Sequence, residues 1–230
     1  MSPKKKNNKL IKDAFVQKIL KIDSFKTQRF ENFKFLKKPF FISIKTKNKV
    51  NEKTLQKNKI THKEKLVIYS RKITNGEVSK INCNFVKKID KKQILKISLE
   101  KDSHSRFVKD RSLPLKFRTN FRFHWVNNFF KKQRGDYMIV AYKKKIITGF
   151  LLLIKENLNL RIDLIITKTR YQNQGIANAM ISFANNYFFK SKFKNIIAGT
   201  QSSNYKAINF YMKNGFKIKK KQYIYHVFEK

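Results

Sequence analysis

One cysteine, Cys83, stands in the whole 230-residue chain. It excludes an intramolecular disulfide and a thiolate metal cluster, and it fits a reducing, cytoplasmic setting. The four histidines, His62, His104, His124 and His226, show no metal-ligand spacing with it. Long apolar runs are also missing. The longest, Phe-Leu-Leu-Leu-Ile at 150–154, is too short to span a bilayer and suits a buried strand. Stable membrane insertion is therefore not expected. The first residues are basic but carry no apolar stretch of the kind a secretory signal needs. No internal repeat of about 20–50 residues is visible.

Acidic residues are scarce as well. Fourteen Asp and Glu face fifty-five Lys and Arg, a net charge of +41. Such a balance suits an anionic partner: nucleic acid, anionic lipid or a phosphorylated small molecule. Most of the cations are lysine, however, and Asn, Ile and Phe are abundant too. These four residue types share A/T-rich codons, whereas nucleic-acid readers lean on arginine for bidentate contacts. Compositional bias is thus preferred, and nucleic acid is the less favoured partner. What the chain does have is 41% hydrophobic and 14% aromatic residues, enough to fold rather than stay disordered.

The pattern along the chain divides it into three. Residues 1–35 read as a basic arm or short helix. Residues 36–83 read as a small N-terminal subdomain, with strands at 40–45 and 66–73, a polar loop or surface helix between them, and a turn at Asn75-Gly76. From residue 84 to 230 the order is β-α-α-β-β-β-α-β-α-β-β. Its first helix starts after Asp90 as N-cap. The next carries Phe117, Phe121, Trp125, Val126 and Phe129 at helical spacing. Strands follow at 137–142, 146–154 and 158–167, then a helix from Gly175 with Ile176, Met180, Ile181, Ala184, Tyr187 and Phe188 inward. A strand at 195–199, a helix at 205–214 closed by Gly215, and two short strands at 216–218 and 223–228 complete it.

Two segments carry chemistry. In the first, a strand ends at Ile165, Ile166 and Thr167, and a turn containing Gln172, Asn173, Gln174, Gly175, Ile176 and Ala177 opens a helix. Small residues let the backbone approach a ligand, and free N–H groups at a helix N-terminus suit a pyrophosphate. An ordinary strand-to-helix turn would look similar. In the second, a strand, a loop and a helix contain Asn204, Ala207, Tyr211, Gly215 and Phe216. Read alone, Asn204 is an N-cap and Tyr211 a core aromatic.

Together these segments resemble the acetyl-CoA signature of the GNAT N-acetyltransferases. The resemblance implies a mixed, mostly antiparallel central sheet flanked by helices (an α+β fold), with an additional smaller N-terminal α/β region. It implies acetyl-CoA as acetyl donor and direct transfer to an amine through a tetrahedral intermediate. By the same resemblance, Ile165, Ile166 and Thr167 meet pantetheine beside a splayed neighbouring strand, and the N–H groups of 172–177 hold the pyrophosphate. Asn204 binds the pantetheine arm, and Tyr211 protonates the departing thiolate. Asp163, on the strand before the turn, is a candidate base, directly or through water; its plainer role is a solvent-facing strand residue.

A narrower resemblance rests on His104-Ser-Arg-Phe107, Asp110, Trp125-Val-Asn-Asn128 and Gly199-Thr-Gln201. It points to nucleotide-linked amino-sugar N-acetyltransferases of the TDP-fucosamine acetyltransferase kind, and so to a dTDP-4-amino-4,6-dideoxy sugar as acceptor. His104 and Arg106 would line that pocket, with Arg106 on phosphate; alternatively Arg106 is a structural ion-pair partner and His104 a surface residue. A homodimer is one expected state. Protein N-terminal and ribosomal-protein acetyltransferases share the second segment, but their usual Glu base would fall on Gly199. His124 reads as a packed residue, and His62 and His226 have no neighbouring pattern. A further alternative, of another class, is a basic nucleic-acid- or membrane-associated protein on the same fold.

Overall fold

The computed structural model describes residues 11–13, 16–22, 40–57, 60–76, 78–100 and 104–229. It is built on one ten-stranded sheet. The strands are β1 (Ile11–Asp13), β2 (Val16–Ile22), β3 (Phe40–Thr46), β4 (Ile60–Lys72), β5 (Asn82–Phe85), β6 (Tyr137–Lys143), β7 (Ile146–Glu156), β8 (Asn159–Thr167), β9 (Asn195–Gln201) and β10 (Lys217–Glu229). The helices are α1 (Glu52–Lys57), α2 (Lys91–Ser98), α3 (Arg106–Lys109), α4 (Leu115–Phe130), α5 (Ile176–Phe188) and α6 (Tyr205–Lys213). Across the sheet the order is β1-β2-β3-β10-β4-β9-β8-β7-β6-β5. Only β2–β3 and β8–β9 pair in parallel, so the mixed, mostly antiparallel sheet expected from the sequence is present.

Alternation along each strand sorts the core into two faces. On β6, Ile139 and Ala141 join Leu151 and Leu153 of β7 beneath α5 and α6, with Ile176, Met180, Ala184 and Tyr211. Met138 and Val140 turn the other way and meet Phe150 and Leu152 beneath α2 and α4, with Ile94, Ile97 and Val126. A third cluster, Ile42, Ile44, Val50, Leu55, Tyr225 and Val227, closes α1 over β3 and β10. A fourth, Phe41, Phe107, Leu113, Phe117 and Phe121, seats α3 and α4 on the opposite face of those strands.

The N-terminal region is built into this sheet rather than set beside it. β4 lies between β9 and β10, antiparallel to both, and β3 covers the far edge of β10. β4 begins at Ile60, six residues earlier than the hydrophobic run suggests, because β10 offers partners as far as Val227. The two short final strands expected from the Lys-rich interruption are one long β10. A bulge between Ile218 and Lys220 absorbs the break without a turn. Of the basic arm, the two described pieces are strands, β1 and β2, and β2 pairs the free edge of β3; the rest of residues 1–35 lies outside the described residues. No helix among the described residues is long and apolar enough to cross a membrane.

The inserted position of β4 has a direct test. A chain of residues 76–230 lacks β3 and β4 and leaves β10 bare on both edges. It is expected to aggregate or to give no cooperative melt by circular dichroism. A cooperative transition at the full-length midpoint would contradict the topology.

Candidate active site

The site begins with one extra residue. Leu153 of β7 pairs with Ile162 of β8, but Leu152 pairs with Leu164, so Asp163 is a bulge. The parity of β8 changes there. Leu160 and Ile162 face α5 and α6 before it, and Ile165 does so after it, while Leu164 and Ile166 face α2 and α4. On its other edge β8 pairs with β9 only from Asn159 to Arg161, opposite Asn195 to Ile197. Beyond that the two parallel strands separate. Main-chain groups of residues 162–167 that would face β9 therefore have no strand partner among the described residues, as the splayed neighbour of Ile165, Ile166 and Thr167 requires.

At the open end of this wedge stands the turn before α5. Asn173 (φ 62°) and Gly175 (φ 76°) are left-handed while Gln174 between them is not, an alternation that turns successive N–H groups toward one point. The head of α5 adds N–H groups with no acceptor inside the helix. Asn173, Gln174 and Gly175 are exposed. A Cβ on Gly175 would meet only Ile81 Cδ1 at 3.7 Å, so glycine is needed there for its φ and not for space. Gln172 drops out of the expected amide set, because its N–H donates to Thr169 O at 3.2 Å and closes a short 3-10 turn. Its side chain accepts from Lys206 Nζ of α6. Arg170 and Lys143 lie over the Tyr171 ring, 4.8 and 5.7 Å from its centroid. Partial burial, with Arg170 close by, holds Lys168 below its ordinary pKa. Free amides ringed by four cations suit a diphosphate. Gly149 of β7 makes the approach of α5 feasible, since a Cβ there would lie 2.7 Å from Ile166 O and 3.2 Å from Ile176 Cγ2.

Asn204 caps α6, its Oδ1 accepting from Ala207 N at 3.1 Å. That leaves its side-chain N–H groups without an acceptor among the described residues. Tyr211 lies two turns on, 4% exposed, on the same face as the head of α5. Its ring stands 5.8 Å from Tyr69 and 5.3 Å from Phe216. Burial raises its phenol well above the ordinary value, so it is protonated at neutral pH and is able to donate a hydrogen bond but not to serve as a base.

Asp163 does not have the surroundings of a base. Arg134 Nε and Nη2 donate to Oδ2 and Oδ1 at 2.7 and 2.9 Å, and Arg161 Nη1 donates to Oδ1 at 3.1 Å. Its side chain is 3% exposed, which also corrects the solvent-facing alternative. Burial alone would raise this carboxyl, yet the two guanidinium groups outweigh it and hold it below the usual range. The Arg134 guanidinium lies 3.8 Å from the Trp125 ring centroid, and Arg161 also donates to Glu156. An anion gripped this way anchors the bulge.

Across the wedge, on the α3–α4 face, the expected acceptor residues separate. His104 is exposed. Arg106 turns inward: its guanidinium lies 4.4 Å from the Phe107 ring centroid, and burial lowers its pKa to about 10, with Glu64 and Asp163 both close enough to oppose that shift. Its Nε and the Trp125 Nε1 are buried with no hydrogen-bond partner among the described residues. Sequence reasoning gave no role to Glu64, His62 or His226, and named Asp110 only within the narrower resemblance; the four meet here. His226 Nδ1 and Asp110 Oδ2 are 2.8 Å apart and fully buried. Burial lowers His226 to a pKa of about 4, so the neutral ring donates from Nδ1 to the carboxylate. Asp110 Oδ1 also accepts from Ser112 N and Oγ at 3.1 and 2.6 Å, and in this way α3 is tied to β10. No spacing in the sequence signals the cluster, because its members are brought together only by the pairing of β4 with β10 and the seating of α3 against them.

Asp163→Asn removes a buried charge that two partly buried guanidinium groups hold. It is expected to cost about 3–5 kcal/mol at pH 7 in urea unfolding. A carboxyl with a lowered folded pKa contributes its stability above the unfolded value and loses it as pH falls through the folded one. The gap between variant and wild type should therefore close below about pH 4; a gap independent of pH would contradict the ion network.

Residues 98–216, just over half of the chain, match the Acetyltransferase (GNAT) family. No curated protein matches the sequence. Among solved structures, a conserved protein of unknown function from Staphylococcus epidermidis aligns with a TM-score of 0.69 at 14% identity, over 93% of this chain and 84% of its own. A GCN5-related N-acetyltransferase from Sphaerobacter thermophilus aligns at 0.55 and 9% identity, over 95% and 75%. One from Kribbella flavida aligns at 0.51 and 9%, over 81% and 68%. Identities this low speak for the fold alone. The family match, the sheet and the bulged, splayed strand pair agree, and the chain belongs to the GNAT acetyltransferase family.

Proposed function

We propose that the protein is an acetyl-CoA-dependent N-acetyltransferase that passes the acetyl group directly from donor to a primary amine. One juxtaposition carries the reading: the amide nest at Asn173–Gly175 opens beside the gap between β8 and β9, with the Asn204 cap at the head of α6. The nest and its cations suit the diphosphate of the donor. The unpaired edge of residues 162–167 suits the amide groups of pantetheine, which then lies as an extra strand in the wedge. A backbone N–H at the strand break suits the oxyanion of the tetrahedral intermediate. Tyr211 donates to the leaving sulfur. A thiol of this kind has a pKa near about 8.5, and a phenol raised by burial serves such a sulfur as a fixed hydrogen-bond donor first and as a proton source second.

The acceptor we favour is a nucleotide-linked amino sugar of the dTDP-4-amino-4,6-dideoxy class. Arg106 Nε and Trp125 Nε1, two buried donors without hydrogen-bond partners among the described residues, suit phosphate or sugar oxygens on the acceptor side. A protein N-terminal amine is the rival, and Gly199 at the position of that group's usual base counts against it.

Acetyl-CoA at 100 times its Kd should stabilise the protein by about 2.7 kcal/mol, read as a rise in Tm. Tyr211→Phe should lower turnover roughly 100-fold while acetyl-CoA affinity stays near wild type by calorimetry. Unchanged turnover would remove Tyr211 from the chemistry. Screening dTDP-amino sugars against peptide N-termini for acetyl-CoA-dependent product decides the acceptor.

A further inference from the structure

The acetyl transfer proposed above needs a group to receive the acceptor's proton. Asp163 is occupied by two arginines, and Gly199 has no side chain. Gly199 is nevertheless exposed, and a Cβ on it would point at Ile68 Cδ1 (3.1 Å) and Leu66 Cδ2 (3.8 Å). These three positions share the face opposite Val67 and Tyr69, which pack under α5 and α6. Glu64 comes next in that row. It lies where β4 runs past the end of β9, held by Ser202 N donating to Lys65 O at 2.8 Å.

The Glu64 side chain is 9% exposed, and its two oxygens differ. Oε1 is 3.9 Å from Lys109 Nζ. That ammonium donates to Ser203 Oγ at 3.0 Å, one residue before the Asn204 cap. Oε2 is buried without a partner among the described residues, and so is His62 Nε2. The two atoms are 4.0 Å apart, too far for a hydrogen bond but close enough for one small N–H group to reach both. Behind His62 the His226 ring lies with centroids 5.2 Å apart, fixed in turn by Asp110. A buried carboxylate oxygen left unpaired is costly, and a ligand donor offsets that cost.

We infer that Glu64 receives the acceptor amine in the acetyl transfer and takes a proton from it, with His62 beside it fixing the same nitrogen. This assignment rests on the transferase reading above. The acceptor ammonium gives one proton to Glu64 Oε2 and becomes a neutral amine. Its nitrogen forms a bond to the thioester carbonyl carbon. The C–S bond then breaks, the second proton leaves nitrogen for the departing sulfur, and the products are the N-acetyl amine and the CoA thiol. Glu64 returns its proton to water. The charged or titratable groups facing its carboxylate are His62 on β4 and Lys109 and Arg106 on α3, with His226 of β10 behind His62.

The test uses the full-length protein, acetyl-CoA and n-butylamine, an acceptor without further recognition elements, with thiol release as readout. Glu64→Gln should lower kcat/KM for the amine roughly 100-fold and leave acetyl-CoA affinity unchanged. The deficit should shrink as pH rises toward the amine's own pKa, about 10, because the free amine needs no base. Glu64→Asp, which keeps the charge on a shorter arm, should fall between the two. A rate for Glu64→Gln equal to wild type, or a deficit constant across pH, overturns the assignment. So does wild-type protein that binds acetyl-CoA yet releases no thiol with the amine. Failure to bind acetyl-CoA at all overturns instead the transferase reading on which it rests.

Discussion

Asp163 is one residue too many for the ladder between β7 and β8, and its carboxylate is held by Arg134 and Arg161. The rest of the site depends on that fixed irregularity. A bulge bends its strand and breaks the regular row of hydrogen bonds. Here the bend carries β8 away from β9 just beyond Arg161. Without the ion pairs, the extra residue could slip along the strand and the gap would lose its position. The stability held in this buried network is therefore what keeps a stretch of polar backbone open, at a place where a sheet would otherwise close it.

Around the gap the two faces of the sheet have different chemistry. The α5–α6 face offers backbone amides, a capping asparagine and a buried phenol, with cations at the rim. This arrangement suits a long anionic thioester. The α3–α4 face holds a row of ionisable side chains over β10, β4 and β8. Charge as high as +41 adds a long-range attraction for any polyanion, faster capture more than tighter hold. Whatever sets the number of lysines, only the fold places Lys143, Lys168, Arg170 and Lys206 around one turn.

Much of this was legible in the sequence, and the reasons are local. The turn before α5 and the Asn204–Phe216 segment are contiguous, with their strand–turn–helix context on either side, so their resemblance to the GNAT signature can be seen over short stretches. The helical stripe from Phe117 to Phe129 and the apolar runs of β6, β7 and β8 obey simple periodicities. The bulge was not visible, because an extra residue in a strand leaves no mark on composition. Asp163 consequently read as a strand residue facing solvent, or as a base, while its real partner Arg134 lies 29 positions earlier. The clustering of Glu64, His62 and His226 escaped for the same reason on a larger scale: β4 and β10 are distant in the chain, and nothing short-range foretells which strand fills the space beside β9. The Lys-rich stretch 219–221 misled differently, since polar residues signal a turn only where no neighbouring strand supplies a ladder.

The placement of β4 bears on how the molecule is made. Its partners on either side are strands from the last part of the chain, and Val50 N meets Tyr225 Oη across 175 residues. During synthesis β4 emerges early and must wait, unpaired, until nearly everything else has been translated. Such distant pairings are slow to form, and an exposed apolar strand such as Leu66-Val-Ile-Tyr69 can meanwhile pair with other copies. The acidic and basic residues just before it, Lys63, Glu64 and Lys65, are of the kind that opposes such pairing.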